Sequence, residues 1–176
     1  MPDYRHFRIP GETYFFTVAL QDRCSVLLVN RIEVLREAAR TVQARLPFHI
    51  DAWVVLPDHL HCVWTLPPGD ADHQRRWRII KGAFSRGLPA GAAAAAADPG
   101  LDEHRIWQRR YWEHAIRDEH DYVAHMDYTH FNPVKHGLAQ RVADWPFSSF
   151  QRCVTQGLYP RDWLGGGAEP EAGEPA

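Results

Sequence analysis

Residues 49–66 read HIDAWVVLPDHLHCVWTL, two runs of β-branched and aromatic residues interrupted by Pro57 and Asp58. Proline fixes φ and removes an N–H donor, and aspartate bonds back to its own backbone, so the pair marks a tight turn between two strands. His59 and His61 fall on the second strand with Leu60 between them. Successive strand side chains alternate faces, which puts both imidazoles on one side of the sheet and Leu60 on the other. Two imidazoles so placed can grip a metal ion, and the same pattern also suits a wet sheet face; spacing alone leaves both readings open.

Working outward, Tyr14 to Leu20 (YFFTVAL) has the aromatic and β-branched content of a strand and follows the turn residues Pro10 and Gly11. Asn30 is a candidate cap for a helix over residues 31–45, in which Ile32, Leu35, Ala39 and Val42 recur at three- and four-residue spacing. A second helix is expected from about Asp72 to Arg86, with Trp77, Ile80, Ala83 and Phe84 inward. Ile106 to Ile116 reads as strand around Trp107 and Trp112, and Asp118 can cap a helix that should end near Asn132, because Pro133 follows. The aromatic stretch from Trp145 to Phe150 should fold back onto the rest. This order gives an α+β fold of ferredoxin-like or RRM-like type, an antiparallel sheet with helices packed on one face. A single domain over residues 1–164 is expected, with a low-complexity alanine-rich loop insertion at about 90–100 and a disordered Gly/Glu/Pro/Ala tail over 165–176.

A chain of 176 residues with 45% hydrophobic and 12% aromatic content can bury one sizeable core. No apolar run is long enough to cross a membrane and the start has no secretory pattern, so a cytoplasmic, nucleoid-associated protein is expected. Cys24, Cys62 and Cys153 are odd in number and widely spaced, which suits neither a disulfide framework nor a metal knuckle. The net charge of −2 hides a local bias: Arg75, Arg76, Arg78, Lys81 and Arg86 follow one another with no acid between them. Arg105, Arg109 and Arg110 form a second basic group. Arg75, Arg76, Arg78, Lys81, Arg109, Arg110 and Lys135 are therefore candidate phosphate contacts, although a basic segment is also what a solvated helix face looks like. Trp107 and Trp112 are candidates for stacking on unpaired bases, or for the core.

Tyr128 and Asn132 lie four residues apart on the last expected helix and so share a face. Taken alone, they could equally be a half-buried aromatic and a helix C-cap. Together with His59 and His61 they make a site for phosphodiester transfer. Two neutral imidazoles and an amide oxygen can hold a divalent cation without cancelling its charge, and a phenol with an ordinary pKa of about 10 needs such help to attack phosphorus. A phosphotyrosine ester conserves the energy of the broken bond, so a DNA hydroxyl can reverse the step and rejoin strands. Tyr111 and Tyr122 are rival nucleophiles without an amide one turn onward. His114, His120, His125, His130 and His136 show no compact tetrahedral spacing, and none is assigned to metal.

The segments YFFTVAL, WVVLPDHLHCVWTLP, IWQRRYWEHAIRDEHDY, HMDYTHFNPVKHGL and DWPFSSF resemble the REP-associated tyrosine transposases, within the HUH class of single-strand nucleases and transposases. The resemblance runs to about Trp163. It implies that His59 and His61 are paired metal ligands, Asn132 the third, and Tyr128 the nucleophile that forms a 5′-phosphotyrosine link. It also implies Mg2+ or Mn2+ as cofactor, and single-stranded or hairpin DNA from palindromic repeats as partner, cut by a monomer or homodimer. Two other functions fit the same residues: a hairpin-binding regulator that does not cut, and a metal-dependent phosphodiesterase that activates water.

Overall fold

The computed structural model describes residues 12–92 and 106–166. The expected alanine-rich insertion falls mainly, and the expected tail almost wholly, outside the described residues. Four strands, β1 (Thr13–Ala19), β2 (His49–Val55), β3 (His59–Thr65) and β4 (Trp112–Ala115), form one antiparallel sheet in the order β2-β3-β1-β4. Between them run α1 (Leu27–Asn30), α2 (Ile32–Arg45) and α3 (His73–Gly87), followed by α4 (Glu119–Lys135), a 3-10 turn at Val142–Asp144 and α5 (Phe150–Thr155). This is the βαββαβ order of a ferredoxin-like sheet with one further helix, in agreement with the α+β antiparallel fold expected from the sequence.

Strand alternation divides the molecule. Phe16, Val18, Leu60, Cys62 and Trp64 turn to the side covered by α2 and α3, where Trp64 stacks on Trp77 at 4.3 Å and 16°, both rings fully buried. Phe15, Ala52 and Val63 turn to the opposite side, where α4 lies with Tyr122 and Met126 inward. Helices therefore cover both faces, which corrects the expectation of one covered face. The inward residues of α4 include Asp121, His125, Thr129, His130 and Asn132, all buried, so no apolar stripe announces this packing surface.

Local signals explain most boundaries. Asp72 and Asp118 cap α3 and α4, their side chains accepting from the backbone N–H of Arg75 and Asp121. Asn30 is the last residue of α1 rather than a cap, and α2 starts after Arg31 without a side-chain cap. Helix α4 passes through Pro133 to Lys135 instead of ending at Asn132. Pro133 removes the N–H that would bond the Thr129 carbonyl, a disruption that falls two residues before the helix ends. Only Trp112–Ala115 of the expected strand 106–116 is regular, with Trp107 joined to Leu20 by an isolated bridge. The segment from Trp145 onward does return to the sheet: the Val55 N–H donates to Phe147 O, the Trp53 N–H to Ser149 Oγ, and Trp145 Nε1 to Val55 O.

Candidate active site

His59 and His61 open β3 and are in register with Ala19 and Thr17 of β1. Both are buried, with ring centroids 5.0 Å apart and planes at 83°, while Leu60 enters the core under α2 and α3. Each ring is fixed through Nδ1, His59 by Asp58 Oδ1 at 2.8 Å and His61 by Thr17 Oγ1 at 2.8 Å. Asp58 is itself held by Arg23 Nε at 2.7 Å. The Asp58 carboxylate can only accept from Nδ1, which leaves the His59 lone pair on Nε2, the arrangement that orients metal-binding histidines, while Thr17 fixes the plane of the His61 ring. Asp58 and Thr17 went unassigned in the sequence, though one adjoins His59 and the other is the polar residue of YFFTVAL.

Helix α4 brings the remaining groups over β3 of its own sheet, so one chain assembles the whole set. The Tyr128 ring sits 5.4 Å from His61 at 70° and 5.9 Å from Phe15, and Phe15 in turn stacks on His61 at 5.7 Å. Two turns further on, His136 reaches His59 at 5.4 Å. Asn132, four residues from each of Tyr128 and His136, lies on the stripe between these two contacts. It is fully buried, and both Nδ2 and Oδ1 lack a hydrogen-bond partner among the described residues. Burying an amide unsatisfied costs about 1–3 kcal/mol per group, so a buried pair of such atoms on the helix whose Tyr128 and His136 meet the two imidazoles calls for a ligand to satisfy them. Lys135 Nζ stands 4.7 Å from the centroid of the Tyr128 ring, which places an ammonium beside the phenol.

The rival tyrosines are committed elsewhere. Tyr122 donates its hydroxyl to Asp51 Oδ1 at 3.0 Å in the core, and the Tyr111 hydroxyl lies 3.0 Å from His73 Nδ1, its pKa pushed up by burial and by Glu113 and Asp72. Of the phosphate-contact candidates, Arg75, Arg78, Arg109, Arg110 and Lys135 are exposed. Arg76 is not: it is 2% exposed, and its guanidinium bonds Asp70 at 2.7 Å and the carbonyls of Leu46, Pro47 and Asp72. It ties α3 to the end of α2 and has no donor left for DNA, a correction to the sequence reading. Trp107 is likewise core, 3% exposed against Phe84, whereas Trp112 is 36% exposed.

Two of the histidines set aside do form a compact group. His114 Nε2 bonds Asp121 Oδ2 at 2.8 Å, His125 Nδ1 donates to the Asp121 carbonyl at 2.8 Å, and the two rings stack at 4.6 Å. The ligand atoms of His114, Asp121 and His125 all fall within 4.8 Å of one another. Burial disfavours the Asp121 carboxylate, but the Arg117 N–H and His114 outweigh it and hold the pKa below its usual value. Arg117 Nε also stands 3.3 Å from Asp121 Oδ2, a positive charge that opposes a second cation there. This group bonds within itself and ties β4 to α4, whereas both polar side-chain atoms of Asn132 lack a hydrogen-bond partner among the described residues. By donor type, two oriented imidazoles and an unpartnered buried amide, His59, His61 and Asn132 also suit a divalent cation.

No family model matches the chain. It is 49% identical to the REP-associated tyrosine transposase of Escherichia coli K12, over 99% of this chain and 98% of that protein. This chain belongs to the REP-associated tyrosine transposases. A Haemophilus influenzae protein provisionally assigned to the same family is 42% identical over 94% of each chain. A REP-associated tyrosine transposase solved bound to a REP hairpin superimposes with a TM-score of 0.81, at 49% identity, over 100% of this chain and 99% of that one. The chain is thus a transposase-type enzyme with the HUH-type fold of its family. Among the described residues no helix is long and apolar enough to cross a membrane.

Proposed function

We propose that this chain binds hairpin-forming single-stranded DNA and cuts and rejoins it through Tyr128. Its substrate would be palindromic repeats of chromosomal DNA, reached in the cytoplasm. The observation that carries this reading is the position of Tyr128: its ring packs on His61, an ammonium stands over its face, and the buried Asn132 amide lies one turn onward. The Tyr128 oxygen attacks the scissile phosphorus, forming a 5′-phosphotyrosine as the bond to the 3′ oxygen breaks. The phenol proton passes to solvent and the departing 3′ oxygen is protonated to a free hydroxyl. A second DNA 3′-hydroxyl reverses these steps and joins strands, so no nucleotide cofactor is consumed.

His59, His61 and Asn132 would hold a divalent cation, Mg2+ or Mn2+, which supplies Lewis-acid polarisation of the phosphate. Asp58 keeps His59 in the metal-binding tautomer, Thr17 orients the His61 ring, and Phe15 packs on both His61 and Tyr128, fixing their relative positions. Lys135 favours negative charge on the attacking oxygen. His136 packs against His59 at the same end of the site.

The test is to incubate labelled hairpin DNA with Mn2+ or with chelator and run denaturing gels of wild type and Tyr128→Phe. A protein-linked band that needs metal and disappears in the variant is expected. Cleavage by Tyr128→Phe would replace the nucleophile with activated water, and binding without cleavage would make the protein a regulator.

A further inference from the structure

Strand pairing sets His61, Thr17 and Trp112 in one row across β3, β1 and β4. Residues directly opposite in a ladder point to the same face, and neighbouring strands lie about 4.8 Å apart. Trp112 therefore stands on the catalytic face about 10 Å from His61. It is one of few large apolar side chains exposed among the described residues, at 36%.

Beyond Trp112, at the free edge of β4, opens a cleft of about 760 Å³ between α3 and residues 108–113. Arg78, Lys81, Arg86, Arg109 and Arg110 line it, with Glu113 the one carboxylate of the lining among the described residues. Several other surface arginines are paired: Arg36 with Glu33, Arg40 with Glu37, Arg141 with Asp144. Arg78, Lys81, Arg109 and Arg110 have no carboxylate partner among the described residues. Lys81 reaches the cleft over the rings of Tyr111 and Trp107, at 5.3 and 5.9 Å, and is held by the Gln108 carbonyl at 3.1 Å. Burial lowers its pKa to about 8, a cost that an anionic ligand would reverse. An exposed indole followed by unpaired cations matches the chemistry of single-stranded nucleic acid, whose bases stack and whose phosphates need neutralising.

Resting on the function proposed above, we propose that the unpaired flank of the hairpin passes from the catalytic face over Trp112, which stacks on one base, into this cleft, where Arg78, Lys81, Arg109 and Arg110 meet its phosphates. Duplex DNA is not the expected occupant, since its bases offer Trp112 no free face.

The test uses the full chain in a Tyr128→Phe background, so that binding is read without cleavage. Hairpins with and without a single-stranded flank, carrying 2-aminopurine at successive flank positions, are titrated against the parent, Trp112→Ala and Arg109→Ala/Arg110→Ala. The parent should bind the flanked hairpin more tightly and quench one flank position. Trp112→Ala should lose that quench and about tenfold in affinity for the flanked hairpin. The arginine pair should lower the salt dependence of the same affinity by about two phosphates. Equal losses with flanked and flankless hairpins would place the duplex in the cleft and overturn the inference while leaving the transposase reading intact. Hairpin binding insensitive to these variants would overturn it as well, and no hairpin binding by the parent would overturn both.

Discussion

On the face under α2 and α3, the sheet meets its helices through Phe16, Val18, Leu60, Cys62 and Trp64 against Trp77, Ile80 and Phe84. On the other face, α4 meets the same strands through Tyr122 and Met126 but also through Asp121, His125, Thr129, His130 and Asn132. The first interface excludes water around apolar groups. The second accepts polar burial and satisfies most of it internally, as in Thr129 Oγ1 donating to His125 O and His130 Nε2 against Ser149 Oγ at 2.9 Å. Buried polar groups stabilise less than the apolar groups they replace, so the dry face should carry stability and the α4 face chemistry.

The sharpest way to break that division is Trp77→Ala. Its ring is fully buried and stacked on Trp64, and deleting it should cost about 3–5 kcal/mol, read from urea unfolding. A loss well under about 2 kcal/mol would mean that the α2/α3 face is not the main anchor.

This contrast also explains what was legible in the sequence. The dry face was: its alternation in β1 and β3 and the inward stripe of α3 follow from apolar spacing, and Asp72 and Asp118 mark their helices by capping chemistry. His59 and His61 were legible because Leu60, between them, has to enter the core. The α4 face was not, because a helix that buries His, Asp and Asn has no apolar stripe to place it against a sheet. Reading Pro133 as the end of the helix also hid His136, which continues the stripe of Tyr128 and Asn132. Arg76 looked like its neighbours in sequence; only the fold shows Asp70 and three carbonyls closing around it.

The two faces should also respond differently to acid. His130 is fully buried on the α4 side, and burial lowers its pKa to about 3 from 6.5; burial lowers His125 in the same direction. Below pH 6.5 the unfolded chain takes up a proton at His130 that the folded chain refuses until near pH 3. Stability is thus complete above 6.5 and falls as pH drops, by at most about 1.4 kcal/mol per unit for this residue. Between pH 7.5 and 5 wild type should lose about 2 kcal/mol more than His130→Asn, whose amide can still hydrogen-bond Ser149 Oγ. Parallel pH profiles for the two proteins would show that His130 is not held neutral.

Asn132→Leu is the smallest change and bears most directly on the site. If the amide exists to bind metal, the metal-free protein gains nothing from it and carries two unsatisfied buried atoms. Replacing it with an apolar side chain of similar shape should then leave metal-free stability unchanged or raise it by about 1 kcal/mol. Mn2+ should raise the Tm of wild type by selective binding to the folded chain, and the variant should show little of that rise. A variant destabilised without metal would give Asn132 a structural role and return the α4 face to ordinary polar packing. A variant that keeps the full Mn2+ shift would move the cation elsewhere, with His114, Asp121 and His125 the group to test next.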